Sequence, residues 1–509
     1  MAAALLAVAA CGGPQPSIVL SLGSDAVVLV RGDEASVEVT LTRVGGVDGA
    51  VTLDVTGRPA NVEASFAPAV LSGDTLTSTL TLTAAAAADE GEHSLTVVAT
   101  GGGLTAEATL QLEVVSLTVQ GRLVGSQGRP LPGVAVASQG QSTVTDIDGA
   151  FELSGLSVPY DLTAWSVTDE AAIVYQGLRE SEVVLGGFLT SVGPVARSAT
   201  VTGTLTGEAI PVGTNQIVAV CAEGLDGPAQ GCDFVSPTET DFSVFVQWWG
   251  PETRSVRLHL LQIERDVSGV PVAYPGYATH DVELTAGTTP SVADPIDLGA
   301  ALDTTEVELT VLSTSALYAT IGAVQLGPNL ATSVMVNNDG TAAFAVAMPV
   351  LPGATYTFLA ATGTDDMAWV TGLTGGSATL IVPDAPALVA PANMATGVTT
   401  DTEFTVSNPG GGPLVWIWND TATDYGLALL TTSTTVTMPD TSWLGLPLPA
   451  GATFDWQVIA TGGDSVESAA YRPAEGLNFV SMLLGGSSPG FKGDGTIISS
   501  SSRQFTTAP

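Results

Sequence analysis

The sequence predicts an all-β protein built as a tandem array of β-sandwich modules, and three observations carry that expectation. β-Branched Val and Thr recur along the whole chain while aromatic residues make up only 6%. Such side chains are stiff at χ1 and suit a pleated, half-buried surface better than a helix. Short apolar or alternating runs are separated by turn residues, with 58 Gly and 30 Pro to break them, as sandwiches require. At 509 residues the chain exceeds what one core can serve, and at roughly 100 residues per sandwich it holds about five modules.

Charge narrows the partners. Asp and Glu number 51 against 13 Lys and Arg, a formal net charge of -38. No cluster of Lys and Arg is present to neutralise phosphates, so nucleic acid is excluded as a partner. Hydrophobic content of 45% supplies cores, so the charge does not imply disorder. An acidic surface keeps an exported protein soluble and self-repelling; weak, scattered calcium binding is the sharper alternative.

The first residues read as an address. Ala2 to Ala10 form an apolar run followed by Cys11 and the loop-like Gly12-Gly13-Pro14, too short to cross a hydrocarbon core of about 30 Å and suited to a signal peptide. Val8-Ala9-Ala10-Cys11 resembles the lipobox of bacterial lipoproteins. That resemblance implies acylation of Cys11, a membrane partner through the N-terminal lipid anchor, and residence at the outer membrane or cell surface. The basic residue that the family places ahead of the run is missing here. Cleavage at Ala10 with an incidental Cys is the competing reading, and both imply export. Residues 1–11 are thus assigned to the signal and 12–16 to a linker.

Residues 17–116 alternate in short runs such as Ser36 to Leu41, Val51 to Val55 and Leu110 to Val114. Ala84 to Ala88 reads as one helical turn between sheets. The segment resembles the Ig-like modules of bacterial surface proteins.

Residues 117–197 carry the most specific pattern. Val119 to Val124 leads into Gly128-Arg129-Pro130-Leu131-Pro132-Gly133, then Thr143 to Phe151 with Asp148-Gly149, then Pro159-Tyr160. Pro130 and Pro132 set φ in a turn, and Asp148-Gly149 is a hairpin signal. Phe151 is expected in the core. This segment resembles the carboxypeptidase regulatory-like domain, which implies a transthyretin-like seven-strand sandwich and no peptidase chemistry. Asp146 and Asp148 do not complete a calcium loop, because no closing bidentate Glu follows.

Residues 198–300 and 301–384 read as two further sandwiches. Phe242 to Val246 with Ser255 to Leu260, and Phe344 to Met348 with Thr355 to Leu359, form hairpin-like units that echo each other. Residues 385–509 contain Leu388 to Val398, Glu403 to Val406 and Leu448 to Val458. They resemble the fibronectin type III-like domains of bacterial surface proteins, with Trp456 as a core residue.

Little chemistry stands out. His93, His259 and His280 do not pair at ligand spacing, no nucleophile elbow, phosphate loop or dinucleotide fingerprint occurs, and no metal or other cofactor is implied. Cys221 and Cys232 lie in one module and, outside the cytoplasm, predict a disulfide closing a short loop. Trp248-Trp249-Gly250 should turn one indole inward and the other outward, while Trp416-Ile417-Trp418 places both indoles on one face. An outward indole would stack on a sugar ring or anchor a protein; an inward one is core. The chain is therefore expected to be a non-catalytic, monomeric envelope protein whose modules act as spacers and as binding elements for glycans or envelope proteins. A stalk that binds nothing, and an extracellular hydrolase with a carboxylate pair met only in space, are the rivals.

Overall fold

The computed structural model describes residues 15–125, 128–186, 196–206, 216–236, 239–327, 330–337, 340–362, 366–470, 487–488 and 493–509. Strand accounts for 63% of the described residues and helix for 2%, so the chain is all-β. Its described residues divide into two compact units, one reaching to Val119 and including Leu153–Tyr160, the other Gln120–Glu152 with Asp161–Pro509.

In the first unit nine strands form two sheets. One runs Ser17–Leu22, Glu34–Val44, Thr77–Ala84, Val62–Ala67; the other runs Ala26–Val30, Leu104–Val115, Gly91–Gly101, Val51–Thr56, Val70–Leu71. Alternate residues meet between them, as in Val51, Leu53 and Val55 or Leu110, Leu112 and Val114. The expected helical turn at Ala84 to Ala88 is instead a tight turn, in which Ala88 N–H donates to Ala85 O at 2.9 Å. A run of five residues is too short to repay helix nucleation.

Among the described residues of the rest of the chain, three consecutive segments each contribute seven strands with one connectivity. Between Leu117 and Gly186 the first strand lies between the fourth and the seventh, and the other sheet runs third, second, fifth, sixth. Between Thr304 and Val382 the order is the same. Between Ala196 and Asp297 the same neighbours recur, and an added pairing of the third strand with the fourth, Ala229 opposite Trp248, joins all seven into one sheet. The first strand runs parallel to the seventh each time: Gln120 faces Glu182, Leu205 faces Ile296, and Val307 faces Gly376.

This connectivity overturns the expected hairpins. Asp241–Trp249 pairs with Ala196–Thr206, whereas Thr253–Arg265 pairs with Gln216–Gly224 and Pro271–Thr285. Ala343–Pro349 and Thr355–Ala361 lie in different sheets. Asp148-Gly149 does form a turn, with Gly149 at φ 74°, but it carries the chain from one sheet to the other. A Cβ on Gly149 would stand 2.4 Å from Leu123 O, so the backbones approach where only glycine fits. Phe151 is buried and lies over Gly121, where a Cβ would meet its Cζ at 2.0 Å.

The last segment sets Ala387–Ala390, Glu403–Ser407 and Thr435–Thr437 in one sheet. Gly426–Thr431, Leu414–Asp420, Thr453–Ala460 and Arg503–Thr507 form the facing one. These modules are not separate beads. Ala171–Leu178 pairs in parallel with Gly426–Thr431, from Ala171 opposite Gly426 to Tyr175 opposite Leu430. Gly495–Ser499 pairs both with Thr453–Ala460 and with Met367–Leu373. A single 15-stranded sheet results.

Candidate functional site

Cys11 lies outside the described residues. Cys221 and Cys232 face each other across neighbouring strands, with Cα atoms 4.1 Å apart, and form a disulfide.

Neither the outward indole expected of Trp248-Trp249 nor the outward alternative left open for Trp416 and Trp418 is found. Trp416 and Trp418 do share a face, but it is the inner one, and both are 0% exposed. Trp456, directly opposite Trp418, stacks on Trp416 with centroids 6.2 Å apart and planes 3° apart. Phe404 from the facing sheet meets Trp418 and Trp456 edge-on at 5.4 and 5.0 Å. These rings are the core of the last module. Trp248 is fully buried and donates its Nε1–H to Pro251 O at 2.8 Å. Trp249 is buried as well, at 9% exposure, although strict alternation would turn it outward. The strand ends there: Gly250 takes φ 97°, and buried Arg254 donates to Trp249 O at 2.9 Å and to Asp226 O at 2.6 Å. Neither Trp pair is a surface platform.

A different aromatic pair reaches the surface. Trp443 sits on the 3-10 turn Ser442–Leu444 and is 62% exposed. It meets the half-buried Trp165 of strand Tyr160–Ser166 at 5.8 Å and 62°. Tyr160, Leu162 and Ala164 point into the core, which puts Trp165 on the outer face with Asp161 and Thr163. Trp165 and Val144 each lie opposite Ala135, so one row crosses three strands, and Val144 is 58% exposed. Sequence reasoning missed Trp443 because it falls in an irregular turn, where no periodicity assigns a face.

Two further features belong to the second unit. A groove of about 580 Å³ lies on the sheet face where Ala171–Leu178 joins Gly426–Thr431, floored by Ile173, Ala428 and Ile417 and rimmed by Asp424, Asn419 and Gln457. In the module from Ala196, buried His259 holds two partners: Nε2 is 3.1 Å from Glu223 Oε2 and Nδ1 is 2.8 Å from Tyr277 Oη. Burial raises the Tyr277 phenol above its ordinary value, with Glu223 adding to the effect and Arg257 opposing it. Among the described residues no group of three or more His, Cys, Asp or Glu is placed to hold a metal ion. No described helix is long and apolar enough to cross a membrane. What the surface can do is stack a flat apolar ligand against an indole and hydrogen-bond its edges.

No protein-family model matches the chain, and no curated protein is similar to it in sequence. Solved structures similar to parts of it include domains 4 and 5 of the S-layer protein SbsC, 19% identical over 20% of this chain and 53% of that one, with a TM-score of 0.16. Domains 5-6 of the same protein are 15% identical over 54% of this chain and 100% of theirs, TM-score 0.16. Bovine butyrophilin is 9% identical over 53% of this chain and 98% of its own, TM-score 0.16. The chain thus spans about half, 53%, of the first of these structures.

Proposed function

We propose that the chain is a non-catalytic, exported and monomeric envelope protein, lipid-anchored through Cys11, whose sandwich modules serve as spacers and present a carbohydrate-binding surface. The observation that carries this reading is the pairing of edge strands between modules, Ala171 to Tyr175 along Gly426 to Leu430. Such pairing satisfies backbone groups that an isolated sandwich would leave open, and it joins the modules into a stiff scaffold. The connectivity shared by the three seven-stranded segments supports reading residues 117–197 as a carboxypeptidase regulatory-like module and extends that reading to the two modules that follow. Extracellular export suits the Cys221–Cys232 disulfide.

The test is cell fractionation of a bacterium expressing the full chain, beside the Cys11→Ser variant. The full chain should sediment with membranes and be cut by protease added to intact cells, and Cys11→Ser should move to the soluble exported fraction. Retention of both in the cytoplasm would end the envelope reading. A purely structural stalk is the second reading, favoured by the burial of Trp248, Trp249, Trp416 and Trp418, and it predicts no ligand at all.

A further inference from the structure

We propose that Trp443, cornered by Trp165, is a stacking site for the apolar ring face of a neutral β-1,4-linked pyranose chain. The assignment deepens the binding role proposed above and rests on it.

Of eight tryptophans, Trp443 alone is exposed, Trp165 is half-buried, and the other six are buried. An indole left in water forgoes the burial that stabilises its fellows, about 150–250 Å² for an aromatic side chain. Its placement is also built. Leu444 is buried, Gly445 closes the turn at φ 79°, and the buried Thr441 Oγ1 donates to Leu446 O at 2.7 Å. The Tyr425 hydroxyl lies 3.2 Å from Thr441 Oγ1. A ring fixed before binding loses little freedom when a ligand arrives.

The surroundings select the ligand class. Trp443 and Trp165 are inclined at 62°, which leaves a corner with one open indole face and a half-buried wall. Asp440 and Ser442, close to Trp443 in the chain, are exposed. Ser442 donates its N–H to Asp440 Oδ1 at 2.9 Å. Hydrogen bonds from the Ser442 hydroxyl and amide hold the Asp440 carboxyl below its ordinary value, so an anionic acceptor stands ready for sugar hydroxyls. The same charge, within a chain of net -38, repels acidic polymers. In a β-1,4-linked chain with equatorial hydroxyls each ring shows a flat face of axial C–H groups, which an indole matches and a polar side chain does not.

The test titrates the purified chain with cellohexaose and with chitohexaose, following tryptophan fluorescence and heat. At least one probe should bind, Trp443→Ala should weaken it by about tenfold or more, and Trp443→Phe should retain part of it. Because Trp443 is exposed, Trp443→Ala should keep the parent's far-UV spectrum and melting temperature. No binding of either probe at millimolar concentration, or equal binding by Trp443→Ala, would overturn the proposal. So would an envelope protein captured through Trp443 by a chain that binds no sugar. Sugar binding that depends on Trp443 in a chain not found at the envelope would leave this site standing and remove the envelope reading; the reverse pattern would do the opposite.

Discussion

The most decisive perturbation of the fold is at His259. Its ring is 3% exposed and Glu223 is 5% exposed, with Nε2 to Oε2 at 3.1 Å. One arrangement satisfies all three groups: the Tyr277 phenol, which burial keeps protonated, donates to Nδ1, and Nε2–H donates to the carboxylate. Gly327 lies against the Glu223 carboxylate, where a Cβ would come within 2.2 Å of both its oxygens. Removing one partner of such a buried pair costs about 3–5 kcal/mol, whereas replacing both by apolar groups is often neutral. His259→Leu should destabilise the module from Ala196 by about that amount, and Tyr277→Phe by about 1 kcal/mol. His259→Leu combined with Glu223→Leu should recover most of the loss. Hydrogen exchange of peptides from Thr253–Arg265 reads this locally, and a loss of about 3 kcal/mol speeds exchange roughly 150-fold, since every 1.4 kcal/mol is tenfold. A change below about threefold for His259→Leu, or a double variant as unstable as the single, would refute the reasoning.

Three further outcomes follow from the same geometry. Gly121→Ala should lower stability by about 1–3 kcal/mol through overpacking against Phe151, read as a lower thermal midpoint; an unchanged midpoint would mean that the ring shifts freely. The Arg257–Asp281 pair is 2.7 Å long but 41% and 56% exposed, so after solvent screening it contributes no more than a few tenths of a kcal/mol. The Arg257 hydrogen bond lowers the Asp281 pKa below 3.8; its contribution is thus present above the ordinary carboxylate range and lost as pH falls below it. Arg257→Ala should cost slightly at pH 7 and nothing at pH 2, and an equal cost at both would remove the ionic account. Deleting residues 385–509 uncovers the edges of Ala171–Leu178 and Met367–Leu373, so the shortened chain should form oligomers in light scattering where the intact chain does not.

Legibility in the sequence tracked the range over which each feature is determined. Gly149 and Phe151 were readable because a positive-φ turn and the first inward residue after it are set within a few positions. The Trp416-Ile417-Trp418 alternation placed both indoles on one face, since the strand period alone decides that. It could not say which face, because Phe404 and Trp456, which make that face the interior, come from strands elsewhere in the chain. His259 was unreadable as a paired group for the same reason: Glu223 is 36 residues before it and Tyr277 is 18 after. Trp443 was hidden differently, in a three-residue turn that has no period to read.

The threefold recurrence of one connectivity showed in the sequence only as the echo of Phe242 to Leu260 in Phe344 to Leu359, the fourth and fifth strands of two segments, and the cause is physical. A sandwich constrains each strand only to alternate and each turn only to reverse the chain, so unrelated residues meet the same demands in every module. What the modules do not share is the fate of their sixth strand. Ala171–Leu178 is paired to Gly426–Thr431 and Met367–Leu373 to Gly495–Ser499, while Pro271–Thr285 carries Pro271 and Pro275, residues that cannot donate to a further strand. Two edges are covered by the last module and the third is blunted in its own sequence. Both devices answer one problem, the row of open backbone groups at a sheet edge. The last module therefore has a structural duty that its distance in sequence conceals.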